Sequence, residues 1–414
     1  MSLKPSNTIL PASLLDTDLY KLTMQQAVLQ HFADVQATYH FTHRDKNVYF
    51  TRECFEHFKL SVTHFGELRL TDAEKEWLKA ACPYFTSEYL QYLSEYQFKP
   101  DQVHVEFVSR PDDDKWGRLE IDAIGPWAET ILWEVPLMAC LSEIYFRTVD
   151  TDWNYDGQEE NAYHKGETLL KAGCVFSEFG TRRRRSFHTH DLVMHGLVRA
   201  SKDYPDQGRL TGTSNVHLAR LHNVAPVGTI AHEWYMAIGA LEGYAHANDI
   251  ALRLWEAVYP DQLHIALTDT FSTEAFYKDF VRNPDIARKW TGLRQDSGDP
   301  FVYAPRAKQI YEQLGIDYRE KTIVFSDALN VEKVLKLKKQ CDAVGFKASF
   351  GIGTSFSNDF KSLSSGGAKV SKALNMVIKL ASANGKPCVK ISDELTKNTG
   401  DPETVQLVKT IFGL

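Results

Sequence analysis

The chain of 414 residues lacks most of the short signals that assign a protein at sight. No GxxxxGK[ST] segment and no GxGxxG in a strand-turn-helix context is present, which excludes a P-loop or a Rossmann site as the phosphate cradle. Cys54, Cys82, Cys140, Cys174, Cys341 and Cys388 are scattered without any CxxC spacing. They predict neither a disulfide framework nor a zinc site, but small core fillers in a reduced compartment. No apolar run reaches membrane-spanning length: residues 131–146 come nearest, yet Glu134, Pro136 and Glu143 interrupt them, and they read as a buried helix with its preceding turn. The N-terminal stretch MSLKPSNTILPASLLDTDLY has no basic n-region, long apolar core or small-residue cleavage site. Export is therefore not expected, and a cytoplasmic place, with the nucleus left open, is. Positive charge is also short, at 47 basic against 54 acidic residues and a net charge of -7. A general nucleic-acid or anionic-membrane surface is excluded, so any cationic site must be local.

What is present is an ordinary globular composition, 43% hydrophobic, long enough for two or three packed units. Residues 1–150 mix helical patches with alternating strands at 103–108 and 118–124, which predicts an α+β unit. From about Tyr155, short β-branched runs alternate with amphipathic stretches. Strands are predicted at 174–176, 209–211, 227–230, 265–268, 292–294, 322–325 and 348–350. Gly173 and Gly315 follow two of the intervening helical stretches, where a left-handed residue closes the last turn. This rhythm predicts a parallel α/β barrel over 151–360, with an open doubly wound sheet as the alternative. After Val370 the rhythm breaks, and 376–380, Asn384-Gly385 and 388–391 read as a hairpin. Residues 361–414 are expected to pack back on the first unit, and 362–368 to form a mobile loop.

Barrel ligands collect at the carboxyl ends of strands, and the residues there are polar. Of the run Arg182 to Arg185, Arg182 lies nearest a strand end and suits phosphate, while the other three are expected in structural ion pairs or solvent. Gly351 and Gly353 let backbone N–H groups approach an anion, although Gly-x-Gly after a strand is as often a plain tight turn. Arg294 and Asp296 combine a phosphate clamp with a carboxylate for ribose hydroxyls or Mg²⁺, and Asp327 could share that task; either carboxylate could instead cap a helix. His232 follows an apolar run. Asp269 ends the next one, so the carboxylate could fix the tautomer of a nucleophilic or basic imidazole.

LLDTDLYKLTM from Leu14, SEFGTRRRRS from Ser177, GTSN from Gly212, GTIAHEW from Gly228, ALTDTF from Ala266, GLRQDSGDP from Gly292, FSD from Phe325 and FGIGT from Phe350 together resemble nicotinate phosphoribosyltransferases, especially fungal and enterobacterial ones. The resemblance runs from about Leu14 to the end. It implies an irregular α/β barrel packed against an α+β domain built from both ends of the chain. It further implies joining of nicotinate to phosphoribosyl pyrophosphate, coupled to ATP hydrolysis and dependent on Mg²⁺, in NAD salvage. His232 would be phosphorylated by ATP and oriented by Asp269; Phe179 and Tyr20 would sandwich the pyridine ring near Asp18. Arg182, Arg294, Asp296 and Asp327 would hold the phosphoribosyl group, and Gly351, Gly353 and Thr354 its 5′-phosphate. Relatives that use nicotinamide carry aspartate where this chain has Ser214. A carboxylate there would repel nicotinate by roughly 1 to 4 kcal/mol, whereas a hydroxyl can donate to it. In dimeric relatives the residue matching Tyr20 reaches into the partner's site, so a homodimer is left open. A quinolinate-type transferase, a silent phosphoribosyl-metabolite binding protein and a barrel enzyme for another sugar phosphate are the competing readings.

Overall fold

A computed structural model of the chain describes residues 8–394 and 398–414, so residues 1–7 of the N-terminal stretch read above lie outside the described residues. Seven strands form a parallel sheet in the order Ala225–Pro226, Arg209–Thr213, Val175–Glu178, Lys347–Ile352, Thr322–Phe325, Gly292–Gln295 and Ile265–Leu267. Phe176, Leu210, Ala266, Leu267, Leu293, Ile323, Phe325, Phe350 and Ile352 are buried, as expected of strands too short and apolar to face water. Helices such as Gln158–Lys171, Phe187–Asp203, Thr273–Arg282, Pro300–Gln313 and Val331–Val344 connect them. Gly173 and Gly315 follow their helices at φ 71° and 63°, where the stop signals were read. No ladder joins Ala225–Pro226 to Ile265–Leu267. Yet Thr211 and Val227 from one side and Ile265 from the other line a single cavity, so the sheet curls into an irregular barrel with one open seam.

The strand expected at 227–230 is displaced. The ladder ends with the Val227 N–H donating to the Thr213 carbonyl at 2.9 Å, and the next residues turn to the N-terminal helix Leu19–His31. Thr229 accepts from the Thr23 hydroxyl at 2.7 Å, and a Cβ on Gly228 would stand 3.0 Å from the Tyr20 nitrogen.

The second sheet is antiparallel, in the order Lys386–Pro387, Met376–Ala383, Gln36–His43, Trp116–Pro126 and Phe50–Thr51, with Val103–Ser109 also paired to Trp116–Pro126. Leu119, Ile121 and Ala123 are buried while Arg118, Glu120 and Ile124 are exposed, the period-2 burial of a one-faced strand. Met376–Ala383 lies on Gln36–His43, so both ends of the chain build one sheet. The apolar stretch read as a buried helix is Glu134–Thr148, preceded by the short turn of helix Trp127–Thr130.

The hairpin turn forms at Asn384 and Gly385, with φ 48° and 72°, as a two-residue turn of this hand requires. Its return arm is shorter than expected. The Cys388 N–H makes its last bond, to the Ala381 carbonyl at 2.8 Å, and residues 389–391 do not continue the second strand. They cross to the barrel instead, where the Ile391 N–H donates to the Thr270 carbonyl at 2.8 Å. The loop expected at 362–368 is tied to Asp152, to which the Ser364 hydroxyl donates at 2.7 Å.

Candidate active site

Two cavities open at the carboxyl ends of the barrel strands, and Phe179, Arg182 and Arg294 line both. The inner one, about 760 Å³ with its mouth, is walled by Phe179, Tyr20, Val227, Ile265 and Val324 and has Asp18, Ser214 and Arg182 as polar groups. The outer one, about 1670 Å³ with its mouth, is a polar cleft lined by Arg44, Arg182, Arg183, Arg294, Asp296, Ser326, Asp327, Gly353 and Thr354. An aromatic-walled hole leading into a guanidinium-lined cleft is shaped for a flat ring next to an anion.

Phe179 follows the strand Val175–Glu178, and its N–H donates to the Ile352 carbonyl at 2.8 Å. Glu178 beneath it is fully buried; it accepts from the Gly180 N–H, lies 2.6 Å from His190 Nε2 and accepts from Thr213 at 2.7 Å. Gly351 faces the ring cavity, apart from Gly353 and Thr354. A Cβ on Gly351 would strike the Phe179 ring at 2.3 Å, so the ring, rather than an anion, requires this glycine. Tyr20 lines the cavity from the same chain as Phe179. The Ser214 hydroxyl donates to Asp18 at 2.7 Å, so its single proton is already directed to a carboxylate of the chain. Burial raises the Asp18 carboxyl above its ordinary value, against the opposing pull of Arg182 and Ser214.

The arginine run divides. Arg184 forms a two-pronged buried pair with Asp16 at 2.7 Å, and Arg185 is packed between Phe146 and Phe360 with its guanidinium on Ser371. Arg182 reaches Glu134 at 3.3 Å and Asp18 at 3.8 Å. Arg183, expected in an ion pair or solvent, instead lines the polar cleft beside Arg182. The helix caps fall on Asp299 and Asn330, not on Asp296 or Asp327, which face the cleft.

His232 opens the helix His232–Glu242 instead of closing a strand. Its Nδ1 lies 3.0 Å from the Thr270 hydroxyl; its Nε2 lies 2.8 Å from Lys390 Nζ and 3.1 Å from Asp296. Asp269 stands farther off at 3.7 Å and is held by Lys390 at 3.2 Å and by the Ser297 hydroxyl. Burial, then the Lys390 ammonium, lower the His232 imidazole below its ordinary value against the carboxylates. The positive end of the helix dipole acts in the same direction. Burial alone would raise Asp296, but Arg294 and His232 outweigh it and hold the carboxyl well below the usual range.

Several polar groups around these residues have no pattern in the sequence that marks them. Lys390 arrives from the tail that was read as a strand. Lys21 is fully buried between Glu134, at 2.6 Å, and Glu233, which also accepts from Tyr39 and from Trp127 at 2.8 Å. Glu134 thus joins Arg182 at the cavity to the residue adjoining His232. The signal that could have found this cluster is charge inside otherwise apolar helical segments, DLYKLTM and HEW, since a buried charge requires a buried partner.

Such cavities at the strand ends of a curled α/β barrel define an enzyme of small-molecule chemistry. The family model for the nicotinate phosphoribosyltransferase N-terminal domain matches residues 15–142, and the model for the nicotinate phosphoribosyltransferase family matches residues 174–414. The chain is 43% identical to the nicotinate phosphoribosyltransferase of Saccharomyces cerevisiae over 97% of its own length and 95% of the relative's. It is also 43% identical to that of Methanosarcina mazei, over 97% and 98%. A crystal structure from Saccharomyces cerevisiae superposes with a TM-score of 0.94 at 42% identity, covering 97% of this chain and 98% of that one. The nicotinate phosphoribosyltransferase of Porphyromonas gingivalis superposes at 0.88 and 36%, covering 97% and 99%. The chain belongs to the nicotinate phosphoribosyltransferase family. Among the described residues no helix is long and apolar enough to cross a membrane.

Proposed function

We propose that this enzyme joins nicotinate to phosphoribosyl pyrophosphate, releasing nicotinate mononucleotide and pyrophosphate for NAD salvage, and that ATP drives the cycle through a phosphorylated His232. The observation that carries this reading is the sharing of Phe179, Arg182 and Arg294 by the ring cavity and the polar cleft, with His232 Nε2 3.1 Å from Asp296 on the cleft wall. The pyridine ring enters the inner cavity against Phe179 and Tyr20. Pyrophosphate oxygens meet Arg182 and Arg294, ribose hydroxyls meet Asp296 and Asp327, and the 5′-phosphate meets Gly353 and Thr354. The ring nitrogen forms its bond to the anomeric carbon as the bond to pyrophosphate oxygen breaks, and the electron pair leaves with pyrophosphate. Fixed guanidinium groups stabilise that departing charge.

Asp296 and Asp327 are hard oxygen donors on the cleft wall, which fits Mg²⁺ carried in with phosphate oxygens. When bound, the ion would offset phosphate charge. For the ATP step, Lys390 donating to Nε2 places the ring proton on Nδ1, facing Thr270, and leaves the imidazole neutral. As the Lys390 ammonium turns from Nε2 to the phosphate oxygens it frees the ring's lone pair, Nε2 attacks the γ-phosphorus while the bond to ADP breaks, and water later returns the histidine and inorganic phosphate. Asp269 acts on the imidazole through Lys390 as well as by its own charge. Phosphorylation adds about two negative charges beside Arg294, which can shift the cleft toward tighter substrate binding.

The test is nucleotide formation from nicotinate or nicotinamide with phosphoribosyl pyrophosphate and Mg²⁺, with and without ATP. His232→Ala is expected to keep slow nicotinate conversion and lose the acceleration by ATP, on the order of 10²-fold or more. Conversion without any effect of ATP, or a preference for nicotinamide, would overturn the reading. Lys390→Ala is expected to lower the ATP-coupled rate by at least roughly ten-fold and to move the histidine limb of its pH profile upward, because removing a neighbouring cation raises an imidazole. An unmoved limb would remove Lys390 from the mechanism.

A further inference from the structure

We propose that Asp191, His195 and His222 form a binding site for a divalent transition metal of the zinc type on the outside of the barrel. Asp191 and His195 are one helical turn apart on Phe187–Asp203, so both project from one face. His222 ends the adjoining helix Val216–His222. Its Nε2 lies 2.8 Å from an Asp191 oxygen, and its ring meets that of His195 edge to face, with centroids 4.6 Å apart. One ligand atom from each of the three residues lies within 4.8 Å of the others. Bonds of roughly 2.0–2.2 Å to a tetrahedral ion set ligand atoms about 3.3–3.6 Å apart. A small opening of the Asp191–His222 contact and an inward turn of the exposed His195 side chain meet that spacing.

The Asp191–His222 hydrogen bond is sufficient to tie the two helices together, and it leaves His195 unused. A third ligand-bearing side chain, exposed and turned toward the pair, is what distinguishes a metal site from a helix-to-helix link. Two imidazoles and one carboxylate favour Zn²⁺, Ni²⁺ or Cu²⁺ over Mg²⁺ and Ca²⁺, which require oxygen ligands. His222 stands at the C-terminal end of its helix, where the carbonyl dipoles favour a cation. None of the three residues lines the ring cavity or the polar cleft, so the site stands apart from nucleotide synthesis. Binding would clamp the two helices that follow the strands carrying Phe179 and Ser214.

The experiment titrates Zn²⁺ into metal-free full-length protein against a chromophoric chelator and records the visible spectrum of the Co²⁺ form. Wild type is expected to bind one equivalent that His232→Ala retains. His195→Ala, an exposed change that leaves the fold intact, is expected to bind it at least roughly ten-fold more weakly, the scale on which metal sites respond to loss of even a supporting residue. Co²⁺ is expected to show ligand-field bands without a thiolate charge-transfer band. Equal affinity in His195→Ala, a thiolate band that places the metal on a cysteine, loss of the equivalent in His232→Ala, or absence of binding in wild type would each overturn the proposal.

Discussion

Arg182 and Arg183 adjoin Arg184 and Arg185 in the chain, yet the fold treats the two pairs in opposite ways. The inner pair is buried, with Asp16, Ser371 and two phenyl rings built around it. The outer pair faces a cleft lined by Arg44 and Arg294 as well as by Asp296, Asp327 and Asp359, and it is loosely held there: Arg182 stands 3.3 Å from Glu134 and 3.8 Å from Asp18, and Arg183 reaches the Asn375 side-chain oxygen at 3.5 Å. A guanidinium whose fork is filled by the chain serves the fold, and one loosely held at the wall of a cleft can turn its fork to an anion from outside. The short helical turn at Thr181–Arg183, ended by extended Arg184, is what separates them.

The largest effect expected from this contrast falls on the inner pair. Arg184→Met leaves Asp16 buried without its cation, which costs about 3–5 kcal/mol and should appear as a lower thermal midpoint. Burial alone would raise the Asp16 carboxyl, but Arg184 with Asn215 outweighs it and holds it well below the usual range. A carboxyl depressed on folding contributes stability that is fully present above its unfolded value near pH 4 and is lost as pH falls through its folded value. The variant carries instead a carboxyl raised by burial, so its deficit against wild type should be widest near pH 7 and shrink as pH falls toward 4. A deficit independent of pH would mean that packing, not the pair, sets the cost.

The outer pair should respond more in catalysis than in stability. Arg182→Ala removes a charge-assisted contact to phosphate oxygens worth about 1.5–3 kcal/mol, roughly a ten- to hundred-fold loss in kcat/KM for phosphoribosyl pyrophosphate. Its thermal midpoint should fall less than that of Arg184→Met, because Glu134 is still met by Lys21 at 2.6 Å and Asp18, 3.8 Å from Arg182 and already raised by burial, keeps the Ser214 hydroxyl. A large fall in stability with unaltered kinetics would place Arg182 with the inner pair and erase the contrast.

The contrast was half legible before the fold was known. Arg182 was singled out by its nearness to a strand end, and the barrel strands themselves were legible because short β-branched runs between helical stretches have few other homes. Arg183 was not, since which way each arginine turns depends on one short helical turn. Residues 227–230 have the composition of a strand, but after the Val227 N–H bonds Thr213 the Thr229 carbonyl is taken by Thr23 of the N-terminal helix, a partner some two hundred positions away in the chain. Lys390 reaches His232 because the return arm ends after Cys388 and the tail crosses from the antiparallel sheet to the barrel. Nothing local to CVKIS marks that crossing. Gly351 was read as part of a cradle for the 5′-phosphate, but it lines the ring cavity, and the Phe179 ring is what leaves no room for a side chain there.

The smallest effect concerns the ring cavity, where charge was used to argue for an acid substrate. The Ser214 hydroxyl, expected to donate to the substrate carboxylate, donates to Asp18, so the cavity already contains a carboxylate beside Arg182. The cation and the anion offset each other, and a second carboxylate would tip the balance. Ser214→Asp is therefore expected to raise KM for nicotinate by about 1 kcal/mol, since the cavity mouth admits water and water screens most of the repulsion. Competition by nicotinamide, which has no charge to repel, should be unchanged or stronger. Equal losses for both ligands would mean that the added side chain acts by bulk, and the sign of the charge at this position would then carry no information about the substrate.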